Sequence, residues 1–286
     1  MMQTKVNKIE SQSLDPSVFL HLLQVQIHHF LPSITVTCLG LLVAQKLESN
    51  LLPIAWHLFF STLLIYVFDR SVPCPEDGIN NPERKSLIER HKKLNKTYFF
   101  LASIGLIIGP IIFAKVILYI FIFPGAVLCL AYTKIPFTKY RIKSLIPLKT
   151  LLPPFVITAA IICLCWLFNN QLFFNTKWFI INAWLLSVLL ANVLLSDLMD
   201  VEGDQQFKIR TIPTQLGYRK SLYLTIILSI IVSILGFPIG LPYIIAGLLL
   251  FIPTILLCIG YNNRQHLVWF IDSLFIFVFI FACLQK

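Results

Sequence analysis

Residues 177–204 read KWFIINAWLLSVLLANVLLSDLMDVEGD. Trp178 to Ser196 carries no charge, and about 20 apolar residues suffice for a helix to cross a hydrocarbon core about 30 Å thick. The run then ends abruptly in Asp197, Asp200, Glu202 and Asp204. A carboxylate at the bilayer centre costs roughly 2.5–3.5 kcal/mol, so acids crowded at a membrane boundary are expected to meet positive charge. A second apolar run, 51–68, ends the same way, in Asp69, Glu76, Asp77, Glu83 and Glu89. Together the two clusters hold nine of the chain's 13 acids.

The rest of the chain has the same character. Of 286 residues, 57% are hydrophobic and 13% charged, with a mean hydropathy of +0.81. Those values exclude a water-soluble domain of this length and predict an all-α, polytopic membrane protein. Nine spans are expected, at 17–45, 51–68, 98–114, 116–133, 147–168, 177–196, 220–236, 242–260 and 267–284, after a polar cytoplasmic tail at 1–16. The third and fourth meet in a tight hairpin at Ala114 and Lys115. Pro32, Pro124, Pro153, Pro154 and Pro253 inside spans predict kinked helices. With nine spans, 19 of the 23 lysines and arginines fall on the side that carries both acidic loops. The positive-inside rule therefore puts those loops in the cytoplasm. Most of the +10 net charge serves topology and contact with anionic lipid headgroups. No nucleic-acid motif is present, and seven cysteines, mostly within apolar runs, imply no disulfide framework. The first 16 residues resemble neither a secretory signal nor a transit peptide, so a bacterial inner membrane is expected.

If the sixth span continues as helix to about residue 202, Asp197, Asp200 and Asp204 fall at i, i+3 and i+7 on one face. Three stacked carboxylates repel, and either a divalent cation or a protonation would relieve them. An all-oxygen set suits Mg²⁺, which takes few carboxylates and completes its shell with substrate phosphate and water. The plainer alternative is a helix end with solvated acids, and the macrodipole disfavours negative charge there.

Asp-x-x-Asp-x-Glu-x-Asp at 197–204, Arg-Thr-x-Pro at 210–213 and Leu216-Gly217 resemble the second aspartate-rich motif of the UbiA superfamily of intramembrane prenyltransferases. Tyr132-Thr133, Arg141-x-Lys143 and Pro147-x-Lys149-Thr150 resemble that family's fourth loop and the start of its fifth span. The first motif departs from the family pattern Asn-x-x-x-Asp-x-x-x-Asp. With its central aspartate on Asp69, the outer positions hold Ile65 and Pro73. Asp77 is the alternative carboxylate, if the turn-rich loop folds it back.

The resemblance implies Mg²⁺-dependent transfer of a prenyl group from its diphosphate to an aromatic or other lipophilic acceptor. It implies metal contact by Asp69 or Asp77 and by Asp197, Asp200 and Asp204, with Asp69 and Asp200 catalytic. Arg70, Arg84, Lys143, Lys149 and Arg210 are the diphosphate candidates, although each also serves as a topological charge. Tyr66, Tyr132 and Asn81 are either pocket residues or, respectively, interface anchors and a turn residue. Gln24 and His28, on a polar stripe with His21, either line the acceptor pocket or bond neighbouring helices. Asp272 is an intramembrane acid without an assigned role. Two other readings stay open. One is a related enzyme with altered chemistry, using prenyl phosphate or cyclising its substrate; the other is a non-catalytic lipid-binding or transport protein. Acceptor, chain length and oligomeric state are not encoded in any motif.

Overall fold

The computed structural model describes residues 16–72, 74–133, 148–169, 175–261 and 263–285. Among them no residue is in a strand. The long helices are α1 (Pro16–Lys46), α2 (Leu51–Ser71), α5 (Lys92–Ile112), α6 (Tyr119–Thr133), α7 (Leu148–Leu167), α8 (Thr176–Met199), α11 (Tyr218–Gly236), α12 (Leu241–Cys258) and α13 (Arg264–Leu284). They stand at the nine expected positions. Among the described residues seven are long and apolar enough to cross a membrane, and the apolar part of α6, Val116–Leu128 with its leading turn, is shorter. Short helices α3 (Asp77–Asn80), α4 (Pro82–Arg90), α9 (Val201–Gln206) and α10 (Ile212–Leu216) occupy the loops after α2 and α8.

The hairpin between α5 and α6 turns at Ala114, whose φ of 52° lies in the left-handed region. Lys115 N–H then reaches back to the Pro110 carbonyl at 2.8 Å. Prolines 32, 110, 124, 153, 154 and 253 all sit inside helices that continue through them.

Neighbouring helices follow one another around a ring. α5 packs on α2, α2 on α1, α1 on α13, α13 on α12, α12 on α11, α11 on α8 and α8 on α7, while α7 returns to α1 and α2. Two aromatic residues tie three of these elements together. Trp184 of α8 donates its indole N–H to the Tyr243 carbonyl of α12 at 3.2 Å, and the Tyr243 hydroxyl donates to the Leu42 carbonyl of α1 at 2.6 Å. Both rings are buried and meet edge to face at 4.9 Å, so their polar tips are satisfied where no water reaches. Glycines let helices approach closely: a Cβ on Gly247 of α12 would lie 2.6 Å from the Ser233 backbone nitrogen of α11. A ring built this way leaves space at its centre, towards the end where the acidic loops lie.

Candidate active site

α8 does not run to residue 202; it ends at Met199. Asp200, with φ −92° and ψ 0°, both closes α8 and opens α9. The bridge conformation tilts the chain while helical bonding continues, since Asp204 N–H donates to the Asp200 carbonyl at 3.0 Å. The expected uninterrupted helix is thus corrected to two segments sharing one residue. The carboxylates still gather. They do so around a cation supplied by α7: Lys149 Nζ lies 2.6 Å from Asp204 Oδ2, 3.5 Å from Asp197 Oδ1 and 3.5 Å from Asp200 Oδ2.

The next residue completes the clasp. Thr150, fully buried, donates its hydroxyl to Asp197 Oδ2 and accepts Ile212 N–H at 3.2 Å. Tyr132 of α6 donates its hydroxyl to the Lys149 carbonyl at 3.3 Å. The segment beyond α9 is shaped for turning. Thr211 caps α10 reciprocally with Thr214, Pro213 sits in its first turn, and Gly217 ends it with φ 85°. The Arg-Thr-x-Pro and Leu-Gly pattern is therefore largely a capping device, and Arg210 itself is exposed.

α2 supplies another part of the wall. Asp69 and Tyr66 face the central cavity, while Arg70 borders it and lies over the Tyr66 ring at 5.0 Å. The loop after α2 folds onto α9 through Asn80, whose side-chain oxygen accepts Gly203 N–H at 3.0 Å. Gly203 has no Cβ because there is no room for one: it would stand 2.3 Å from that oxygen. Glu76 is buried in the same loop. Asp77, however, borders a second cavity of about 180 Å³ with Arg70, Lys85, Lys92 and Lys96. The fold therefore brings Asp69 to the Asp197–Asp200 cavity, and Asp77 to a different one.

The central cavity, about 290 Å³, is enclosed by α2, α6, α7, α8 and α13. Asp69, Asn81, Tyr132, Lys149, Asp197 and Asp200 provide its charged and polar wall; Leu128, Leu152, Val156, Ile157, Val193 and Val268 provide an apolar one. Asn192, Thr62 and Asp272 also line it. Sequence reading assigned none of these three to the site; an acid inside an apolar helix was the only signal, and it belonged to Asp272. The side chains of Gln24, His28 and Arg84, and the whole of Lys143, lie outside the described residues.

Asp204 lies beyond the membrane spans. Its side chain is fully buried, and lack of water lifts its carboxyl to about 6; Lys149 pulls it down, Asp197 and Glu76 push it up. Its second oxygen, Oδ1, has no hydrogen-bond partner among the described residues. Among those residues no three histidine, cysteine or acidic side chains converge as a ready metal cage. The donor chemistry nevertheless fits a hard divalent cation that draws part of its shell from a phosphate-bearing substrate.

Known proteins supply the family. The UbiA prenyltransferase family model matches residues 33–281. No curated protein sequence matches the chain. A solved digeranylgeranylglyceryl phosphate synthase shares 20% identity over 94% of this chain and 98% of its own, with a TM-score of 0.52. The apo structure of a UbiA homologue from Aeropyrum pernix K1 shares 11% identity over 88% of this chain and 98% of its own, with a TM-score of 0.60. These two similarities are of fold. The family match over most of the length, on an all-helical membrane architecture that draws both acidic loops to one cavity, makes the chain a member of the UbiA prenyltransferase family.

Proposed function

We propose that the chain transfers a prenyl group from an allylic diphosphate to an aromatic or other lipid-soluble acceptor, inside the membrane and with Mg²⁺. The observation that carries this reading is a single cavity lined both by the charged Asp69, Asp197, Asp200 and Lys149 and by apolar side chains. The charged end suits a diphosphate and the apolar wall suits an isoprenoid tail.

In the proposed reaction the bond between the allylic carbon and the diphosphate oxygen breaks, and its electron pair leaves with pyrophosphate. Mg²⁺, when bound, would neutralise charge on the diphosphate oxygens, with Asp69 and Asp200 as its holders. Lys149 and Arg70 supply fixed positive charge at the same end, where low dielectric makes it count. Apolar side chains from α6, α7 and α8 keep water from the allylic cation until the acceptor attacks. The acceptor gives up a proton as its new bond forms. In this reading the acidic loops face the cytoplasm, where soluble pyrophosphate departs.

Purified protein incubated with Mg²⁺, prenyl diphosphates of several lengths and lipid extract should release pyrophosphate. Asp200→Asn should lower that release by about 10²–10³-fold while its thermal melt stays near wild type. Full activity in this variant would remove the aspartate from the reaction. Consumption of a prenyl monophosphate instead would favour the related enzyme with altered chemistry, and binding without turnover would favour a lipid carrier.

A further inference from the structure

Lys149 is usually the kind of residue assigned to substrate phosphate, yet here its ammonium is already committed to protein. It lies 2.6–3.5 Å from carboxylates of Asp197, Asp200 and Asp204, in the space between all three. Mg²⁺ needs oxygens at about 2.0–2.1 Å and cannot share that point. The lysine is also held in place. Its carbonyl accepts the Tyr132 hydroxyl, and the adjacent Thr150 bridges Asp197 to the Ile212 backbone. Withdrawing the ammonium would strand the fully buried Asp204 carboxylate, a change proteins resist strongly.

We infer that Lys149 is a built-in cation of the acidic site, filling one position a metal would otherwise occupy, so that the chain takes a single divalent ion with its diphosphate. This rests on the prenyltransferase reading for the nature of that anionic substrate. From the first loop Asp69 lines this cavity, whereas Asp77 borders the other one beside Lys85 and Lys92. The carboxylates that would hold this ion are Asp200, 27% exposed, and Asp69, both of which line the cavity. Lys149 is thus a positioning residue that sets metal stoichiometry.

The test is Mn²⁺ titrated into the full-length protein saturated with farnesyl thiolodiphosphate, an analogue slow to ionise, and followed by electron paramagnetic resonance. Wild type should bind one Mn²⁺ with the spectrum of an isolated ion. Lys149→Met should bind a second, giving the spin-coupled signature of a pair, and hold the first about tenfold more tightly, the scale on which one nearby charge moves an ionic equilibrium. Lys149→Arg, which keeps the charge, should stay at one; it also covers the case in which the methionine variant does not fold. Two coupled ions in wild type, or one ion in the folded methionine variant, would overturn the inference. Pyrophosphate release by wild type is measured alongside. Two ions with release would sink the inference and leave transfer standing, and one ion without release would do the reverse.

Discussion

Thr150 shows how much one small side chain does in this site. It holds Asp197 with its hydroxyl proton and the start of α10 with its lone pair. Thr150→Val keeps the shape and leaves a buried carboxylate oxygen unpaired, which costs about 1–3 kcal/mol, together with a half-buried N–H. A lower melting temperature, with Mg²⁺ failing to restore it fully, is the expected result. Asp204 predicts a pH effect whose sign is unusual for a carboxylate. Its carboxyl is raised in the fold from 3.8 to about 6. Between those values the folded chain holds a proton that the unfolded chain has lost, so this group's contribution to stability is full below 3.8 and declines as pH rises towards 6. Asp204→Asn should remove that decline from melting curves taken across the window. The aspartates were legible from spacing and Lys149 from its basic stretch. The bonds that Thr150 makes, and the placing of Asn80 and Asn192, were not, because an uncharged polar residue in or beside an apolar helix has no periodicity to announce it.

Among the elements, the loops proved more ordered than their composition suggests. The turn-rich stretch after α2 forms α3 and α4, with Pro82 opening α4 where a missing N–H does no harm. α5 starts at Lys92, earlier than the apolar pattern that begins near residue 98, since its first turns project polar residues beyond the apolar zone. Close approach governs how these pieces seat. Gly203→Ala would drive a Cβ into Asn80, prising the α3 loop from α9 at a cost of about 1–3 kcal/mol; adding Asn80→Ala should recover much of the lost stability and none of the Gly203 hydrogen bond. Gly247→Leu should be harsher, because the obstacle is the α11 backbone, and loss of monodisperse protein in size-exclusion chromatography is the measurement. At the hairpin the effect runs the other way. Ala114→Gly relieves a left-handed alanine and should raise stability by about 0.5–1 kcal/mol, read from thermal melts.

The molecule as a whole is a ring of helices with its acidic loops at one end. Its topology can be checked directly. A cysteine introduced for Lys208, in a cysteine-free background, should react with a membrane-impermeant maleimide from the cytoplasmic face, and one introduced for Lys177 from the opposite face. Composition and charge patterning were enough to establish a helical membrane protein, the positions of its long helices and the presence of two acidic loops, because water, lipid and the positive-inside rule act on each segment separately. Which acids meet had to wait for the folded ring. Asp69 and Asp197 are far apart in the chain, and Asp77 follows Asp69 by eight residues yet borders another cavity. Lys149 entered the aspartate cluster for the same reason: burial of charge is settled by neighbours that packing brings together, and no local pattern records who those neighbours will be.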